Sequence, residues 1–389
     1  DGPEVMEVKG RTFPVSIEHH DQSLSRERWE DFSGQKIAEI LKDQRNPLNT
    51  LVFLPGVGEI RALQQKLQAC IESDIEICPL YSGLPKKEQD KVFKGEKRKV
   101  ILSTNIAETS LTIPNITGVI DIGLERRASF APWSGMPLLE LKAISQASAT
   151  QRAGRAGRTR PGVVYRLYSE GDFAQREPFT PAEVERVELS HYLLDLLDLG
   201  ANLETLEWLE RPKERNLEAA FELLNTLGAL EENELTALGR FLAGVPLHPR
   251  YGAMLFEQTK NKDVLLVTSI LNEGGVLSSQ AQFGPDDQES CDLFVQLGLL
   301  KDHITKSKRV YSDYHRSFIN VKKADRAMEL YLHLCKRYGV KGPKAFEKSF
   351  QEELGPALMR GFPDRAAMKR VAQKGKRKQV SYNFCLGRG

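Results

Sequence analysis

The chain is poor in the residues that would mark it as a disulfide, metal or membrane protein. Its 389 residues include five cysteines, and these (Cys70, Cys78, Cys291, Cys335, Cys385) show no C-x-x-C spacing. Neither a zinc site nor a disulfide framework follows from them, and a reducing, cytoplasmic setting is expected. The seven histidines are scattered without metal-ligand spacing, so no metal ligand is assigned. No apolar run reaches the about 18 residues that a membrane-spanning helix needs, and no membrane association is expected. Charge of one sign is lacking too: 55 Lys and Arg against 53 Asp and Glu leave a net charge of +2. A basic coat over the whole molecule is thereby excluded, and nucleic-acid binding has to use local patches. There is no internal repeat and no low-complexity tract. The start, Asp1-Gly2-Pro3-Glu4, has neither an initiator Met nor a signal-peptide pattern, so a piece of a longer chain is expected.

The densest signal present is Gln151-Arg152-Ala153-Gly154-Arg155-Ala156-Gly157-Arg158. Arginine stays charged in a protein, and its planar fork matches phosphate oxygens two at a time. Arg155 and Arg158 are three apart and would project from one face of a helix start. Taken alone, the segment reads either as arginine fingers on a γ-phosphate or as a loop on nucleic-acid backbone.

Around it, residues 50–170 alternate between strands and helices. Thr50–Leu54, Ile75–Leu80, Lys99–Ser103 and Val119–Ile122 read as short buried strands. Glu59 to Ile71 has helical spacing, with Ile60, Leu63, Leu67 and Ile71 on one stripe. Pro85 to Phe93 reads as a second helix. This rhythm predicts an α/β domain with a parallel sheet, its ligands at the carboxyl ends of the strands. Arg126 to Ile144 reads as a β-hairpin about Pro132–Gly135. Beyond Leu167 the pattern turns helical. Thr180-Pro181-Ala182-Glu183 has the form of a capping box. Helices over Leu189–Leu199 and Asn216–Leu227, a tight hairpin at Leu230–Leu235 and a helix from Thr236 describe a winged helix. Residues 249–355 are mostly helical, over Tyr251–Gln258, Asp263–Leu271, Glu289–Leu299, Ser307–Ile319 and Lys322–Tyr338. A strand-like Gln379–Phe384 ends the chain.

A second long motif, Ser103-Thr104-Asn105-Ile106-Ala107-Glu108-Thr109-Ser110-Leu111-Thr112-Ile113, precedes the arginine motif, with the hairpin between them. The pair, in this order, resembles the second RecA-like domain of DEAH-box ATP-dependent RNA helicases. Leu51 to Gly56, Leu80 to Pro85 and Arg166-Leu167-Tyr168 agree with that family. Leu124 to Phe130, Ile144 to Ser148, Phe362-Pro363-Asp364-Arg365 and Leu386 to Gly389 are similar to its bacterial HrpB type. The resemblance implies a RecA-like domain over 1–177, with the hairpin at about 124–146. A winged helix over 178–248, a ratchet-like helical domain over 249–355 and a β-containing region over 356–389 would follow. The family's first RecA-like domain, with G-x-x-x-x-G-K-[ST] and Asp-Glu-Ala-His, has no counterpart among these residues, so the chain is expected to be the C-terminal portion of such a protein.

The resemblance also implies roles for single residues. Gln151 orients the attacking water, and Arg155 and Arg158 stabilise the transferring phosphoryl group, while Arg152 makes structural ion pairs. ATP with Mg²⁺ is the implied cofactor, most of its ligands lying in the first RecA-like domain. Phe93 stacks on adenine or is a core residue under the sheet. Ser110, Thr112 and Gly154 lie near the nucleotide. Thr104 and Asn105 contact RNA phosphates, cap a helix, or both. Gly56 touches the RNA backbone or is a plain turn. Arg126, Arg127 and Trp133 meet RNA at the hairpin, or the hairpin is an edge blunted by its arginine charge. The basic run Lys369 to Lys378 binds phosphate or is a solvated loop. Expected partners are RNA, with single-stranded DNA as a further candidate, and the first RecA-like domain; a monomer is expected. The rival reading is a non-catalytic RNA-binding or adaptor module on a helicase-derived scaffold.

Overall fold

The structure, a computed structural model, describes residues 13–20, 29–42, 49–69, 71, 75–109, 111–131, 136–278, 281, 291–305, 318–342, 351–374 and 377–384. The chain divides into two compact units, Asp1–Ala131 with Met136–Val187, and Pro132–Gly135 with Glu188–Gly389.

The first unit is built on a six-stranded sheet of order β1-β8-β5-β2-β4-β3, all pairs parallel. Its strands are β1 (Val15–His19), β2 (Asn49–Phe53), β3 (Glu76–Leu80), β4 (Lys99–Ser103), β5 (Ile116–Asp121) and β8 (Gly162–Arg166). The intervening β6 (Leu124–Ala131) and β7 (Met136–Ala143) form a separate antiparallel hairpin. The sheet carries two cores because successive strand residues face opposite sides. Val52 and Leu54 join Ile37, Leu41, Ile60 and Leu63 on one side, beneath α1 (Trp29–Lys42) and α2 (Val57–Gln68). Leu51 and Phe53 join Ile101, Ala107, Ala153 and Ala156 on the other, beneath α4 (Ile106–Thr109) and α5 (Gln146–Ala153). A parallel sheet covered on both faces needs apolar residues at every strand position, which is why β4 and β5 are buried throughout.

Several elements differ from expectation. Val-Ser-Ile-Glu-His forms the edge strand β1, although the expected alternation of strands and helices starts at residue 50. Its outward residues are polar or exposed, so only its pairing with β8 identifies it. The helix expected over Pro85–Phe93 is α3 (Lys86–Gln89) followed by a tighter 3₁₀ turn, Asp90–Phe93. Thr180 caps no helix; only a 3₁₀ turn, Glu183–Glu185, follows it. Its hydroxyl instead lies 3.2 Å from Ser145 Oγ, while the Gln146 and Ala147 amides donate to the carbonyls of Glu177 and Pro178. Those bonds, with Arg186 Nη1 donating to the Ala128 carbonyl at 2.7 Å, draw residues 178–187 into the first unit. The helix expected over Ser307–Ile319 lies almost wholly outside the described residues.

In the second unit Ser190–Asp198 and Glu214–Leu227 are helices. The latter ends at Gly228, whose φ of 74° is left-handed, a conformation that glycine adopts without a Cβ clash. Two-residue strands Leu230–Glu231 and Glu234–Leu235 pair across Glu232 and Asn233, both at positive φ, the backbone of a tight hairpin. The Thr236 hydroxyl caps the next helix by accepting the Gly239 amide. Helices Pro249–Leu255, Lys262–Asn272, Asp292–Thr305, Val321–Arg337 and Gln351–Gly361 follow. Met254, Leu265, Ile270, Leu300 and Tyr331 are among their shared core. Strands Ala367–Lys374 and Arg377–Phe384 form a closing antiparallel hairpin.

One glycine ties the edge strand to the arginine motif. Gly157 has φ 68°, and a Cβ there would lie 2.5 Å from Val15 Cγ2 and 2.8 Å from the Phe13 carbonyl oxygen. Gly157→Ala is expected to lower stability by about 2–4 kcal/mol through combined strain and overpacking. Urea unfolding checks this; an unshifted midpoint would show that the edge strand yields freely.

Candidate nucleotide and nucleic-acid site

The two long motifs meet on one face of the sheet. The chain leaves β4 through Thr104-Asn105 into α4, and it leaves β5 through Asp121. Helix α5 begins where the Ser145 hydroxyl accepts the Ser148 amide at 3.1 Å, as expected of a serine N-cap. Alanine-rich Gln-Ala-Ser-Ala-Thr-Gln-Arg-Ala favours the helix.

Arg152 locks the three segments together. Its guanidinium is fully buried, with Nε donating to Glu108 Oε2 at 3.0 Å and Nη1 to Asp121 Oδ1 at 2.9 Å. It also lies over the Phe53 ring, 4.8 Å from the centroid. Both carboxylates have further partners. The Ser148 hydroxyl donates to Glu108 Oε1 at 2.7 Å. The Tyr168 hydroxyl donates to Asp121 Oδ2 at 3.0 Å, and the Gly123 amide to Oδ1 at 2.9 Å. Burial alone would push the Arg152 pKa down, but Asp121 and Glu108 outweigh it and hold it above the usual value. Burial, reinforced by Asp121, pushes the Tyr168 hydroxyl well up, which keeps it a donor. Arg176 stacks over the Tyr168 ring at 3.7 Å and donates to the Gly123 carbonyl at 2.9 Å. The structural ion pairs expected of Arg152 are therefore present.

Arg155 and Arg158 do not sit at a helix start. They follow the C-terminus of α5, whose last turn is capped at Gly154, and they differ in exposure. Arg155 is 9% exposed; Nη1 donates to the Leu111 carbonyl at 2.8 Å and Nη2 to the Glu108 carbonyl. Burial and the neighbouring Arg158 both lower its pKa. Arg158 is exposed, and Nη1 donates to Thr112 Oγ1 at 3.1 Å. Gln151 and Gly154 are exposed on the last turn of α5. The fold thus brings Arg158 and Thr112 together and leaves Gln151 and Gly154 open beside the same loop. Gly154 has φ −65° and no tight contact at its Cβ position, so nothing within the described residues requires glycine there. Ser110 lies outside the described residues, as does Trp133.

Phe93 is 41% exposed, whereas its neighbour Val92 is 2% exposed; the ring is therefore no core residue beneath the sheet. Thr104 is half-buried, its amide donating to the Leu80 carbonyl at 3.3 Å, and Asn105 is exposed just ahead of α4. Gly56 precedes α2 and faces the hairpin. A Cβ on Gly56 would lie 2.8 Å from Glu59 Oε2 and 3.0 Å from Arg126 Nε. Glu59 and Arg126 form an ion pair of 2.6 Å across that space. Arg127 donates to Glu125 Oε1 at 2.8 Å and to the Ala143 carbonyl at 3.3 Å. Both hairpin arginines thus have carboxylate partners within the chain. Because the sheet is parallel, Gly56, Thr104, Asn105 and Asp121 all lie at its carboxyl edge.

Glu59, Glu108, Asp121, Tyr168 and Arg176 were not singled out by sequence. A signal existed for Asp121, a carboxylate closing an otherwise apolar strand. Glu108 and Tyr168 lie inside segments that carry the family resemblance. Nothing local marks Glu59 and Arg176.

Residues 34–160 match the family described as helicase conserved C-terminal domain. The chain is 40% identical over 259 residues to the ATP-dependent RNA helicase HrpB of Escherichia coli (strain K12), covering 66% of this chain and 32% of that protein. It is 36% identical over 281 residues to the ATP-dependent RNA helicase HrpA of the same organism, covering 69% and 22%. The crystal structure of the Escherichia coli DEAH/RHA helicase HrpB aligns with a TM-score of 0.72 at 33% identity, covering 96% of this chain and 43% of that one. The chain spans less than half the length of each of these relatives.

Replacing Arg152 leaves two carboxylates facing an apolar side chain. Arg152→Met is expected to lower the stability of the first unit by about 3–5 kcal/mol, because breaking a buried pair costs far more than forming it gains. A urea midpoint equal to that of the unsubstituted protein would show that something else holds α5 to α4.

Proposed function

As the chain belongs to the DEAH-box helicase family and carries its helicase conserved C-terminal domain at residues 34–160, we propose that it supplies the second RecA-like half of an ATP-dependent RNA helicase of the HrpB type. One observation carries the reading: the buried Arg152–Glu108–Asp121 network joins the two motifs and leaves Arg158 exposed beside Thr112.

In this reading ATP lies between this unit and a first RecA-like domain, whose P-loop has no counterpart in these 389 residues. The exposed donors of Arg158 and Gln151 fit a triphosphate. Arg158 exchanges the Thr112 hydroxyl for a γ-phosphate oxygen, a charge-assisted and stronger partner. Gln151, on the open side of α5, orients the attacking water. Arg155 ties the arginine loop to the Glu108 carbonyl of α4 and to the Leu111 carbonyl beyond it, so a change at the phosphate is passed to the helix that Thr104 and Asn105 precede. Phe93 meets the adenine face. Mg²⁺, when bound, neutralises charge on the phosphates. Glu108 and Asp121 are committed to Arg152, Ser148 and Tyr168, so most of its ligands would come from the first domain.

RNA is the proposed polymer. Thr104 and Asn105 offer polar groups to its phosphates at the sheet's carboxyl edge. Gly56 approaches it only if the Arg126–Glu59 pair opens, so phosphate competes with Glu59 for Arg126. In the same reading the winged helix over 178–248 and the helical domain over 249–355 also handle the strand.

In the protein that joins this chain to its P-loop domain, Arg158→Ala is expected to lower ATP turnover by about 10³-fold with RNA affinity unchanged. Arg155→Ala should lower turnover and also thermal stability, because its guanidinium bonds the backbone. Retained turnover in Arg158→Ala would remove the finger assignment. Residues 1–389 alone are expected to release no phosphate from ATP; measurable turnover would favour a different active centre.

A further inference from the structure

We infer that Lys99 is a positioning residue for nucleotide binding, setting which residue of the Asp90–Phe93 turn faces out. The inference rests on the reading of Phe93 as the ring that meets the base. Lys99 opens β4 with a side chain only 2% exposed, at a strand position that an apolar residue would ordinarily fill. Its ammonium reaches over to the turn that follows α3. Nζ donates to the Lys91 carbonyl at 2.5 Å, to the Val92 carbonyl at 3.4 Å and to the Lys94 carbonyl. The Glu76 carboxylate lies 4.0 Å away. The backbone of Lys99 is itself anchored, its amide donating to Asn49 Oδ1 at 2.9 Å.

Lys91 and Val92 belong to the closing 3₁₀ turn and Lys94 follows it, a helix end where C=O groups lack the full set of partners that a helix interior supplies. A lysine near a helix C-terminus satisfies such groups and complements their charge. Here the effect is one of register. The three acceptors flank Phe93 on both sides, and the turn they define buries Val92 at 2% and exposes Phe93 at 41%. Val92 packs with Cys78, Leu80 and Ile101. A turn rotated by one residue would bury the Phe93 ring and lift Val92 out. Burying an ammonium is unfavourable unless its donors are all used, and the carbonyls of this turn are the acceptors that use them. Lys99 thus holds open the aromatic face on which a purine stacks.

The test uses steady-state ATPase kinetics of the full-length protein with Phe93→Ala, Lys99→Met and the double variant. Base–aromatic stacking implies that Phe93→Ala raises the KM for ATP roughly tenfold. Lys99→Met is expected to raise it by a similar factor with kcat within about twofold, and the double variant should be no worse than Phe93→Ala. The two changes then act through one ring. Multiplying effects, or an unchanged KM in Lys99→Met beside a raised one in Phe93→Ala, would overturn the inference and leave the stacking reading intact. An unchanged KM in Phe93→Ala would overturn both. Should Lys99→Met not accumulate as folded protein, Lys99→Gln, which keeps a donor without the charge, carries the same comparison.

Discussion

The site depends on one requirement: the Arg152 charge is buried, so every donor it presents must meet an acceptor. An ion in a low-dielectric interior carries a desolvation cost of several kcal/mol that only close, well-oriented partners offset. Glu108 and Asp121 are those partners, and they come from different elements, α4 and the end of β5. The carboxylates impose the same condition in turn, and Ser148, Gly123 and Tyr168 meet it. The network therefore fixes α5 against α4 and the sheet before any ligand is present. Arg155 and Arg158 leave α5 from a platform whose position is already determined.

The parallel sheet supplies the other constraint. Its strands all point one way, so each strand-to-helix connection on one edge is a carboxyl end. Gly56, Thr104, Asn105 and Asp121 reach that edge from β2, β4 and β5. Glycine matters where backbone and side chain approach closely. At Gly123, φ is 75° and a Cβ would lie 2.5 Å from the Arg176 guanidinium; the stacked Arg176 and Tyr168 could not close over any other residue. At Gly56 the space is filled instead by the Glu59–Arg126 pair. That glycine has an explanation inside the chain, and RNA contact there requires the pair to give way.

The pattern of apolar strands and striped helices was legible over residues 50–170 because each strand is buried on both faces. Strand β1 was not, since an edge strand with outward polar residues lacks that signature. The helix expected at Pro85–Phe93 tightens over Asp90–Phe93 into a 3₁₀ turn, whose Lys91 and Val92 carbonyls accept from Lys99 on a neighbouring strand. Thr180 has the spacing of a helix cap, but its hydroxyl lies against Ser145, the cap of another helix. At Thr180 a contact 35 residues away in sequence overrode a local preference.

The order of residues was sufficient for the α/β character of the first unit and for the two motifs, because both rest on short-range spacing. It was also sufficient to foresee that Arg152 makes ion pairs. Packing alone decided that Arg155 turns inward to a carbonyl 44 residues away while Arg158 stays exposed. It alone decided that Arg126 is held by Glu59, 67 residues away, and that Lys99 on β4 bonds the turn from which Phe93 is exposed. The reason is physical: a charged side chain goes where its partners are, and those partners are brought together only when the sheet closes.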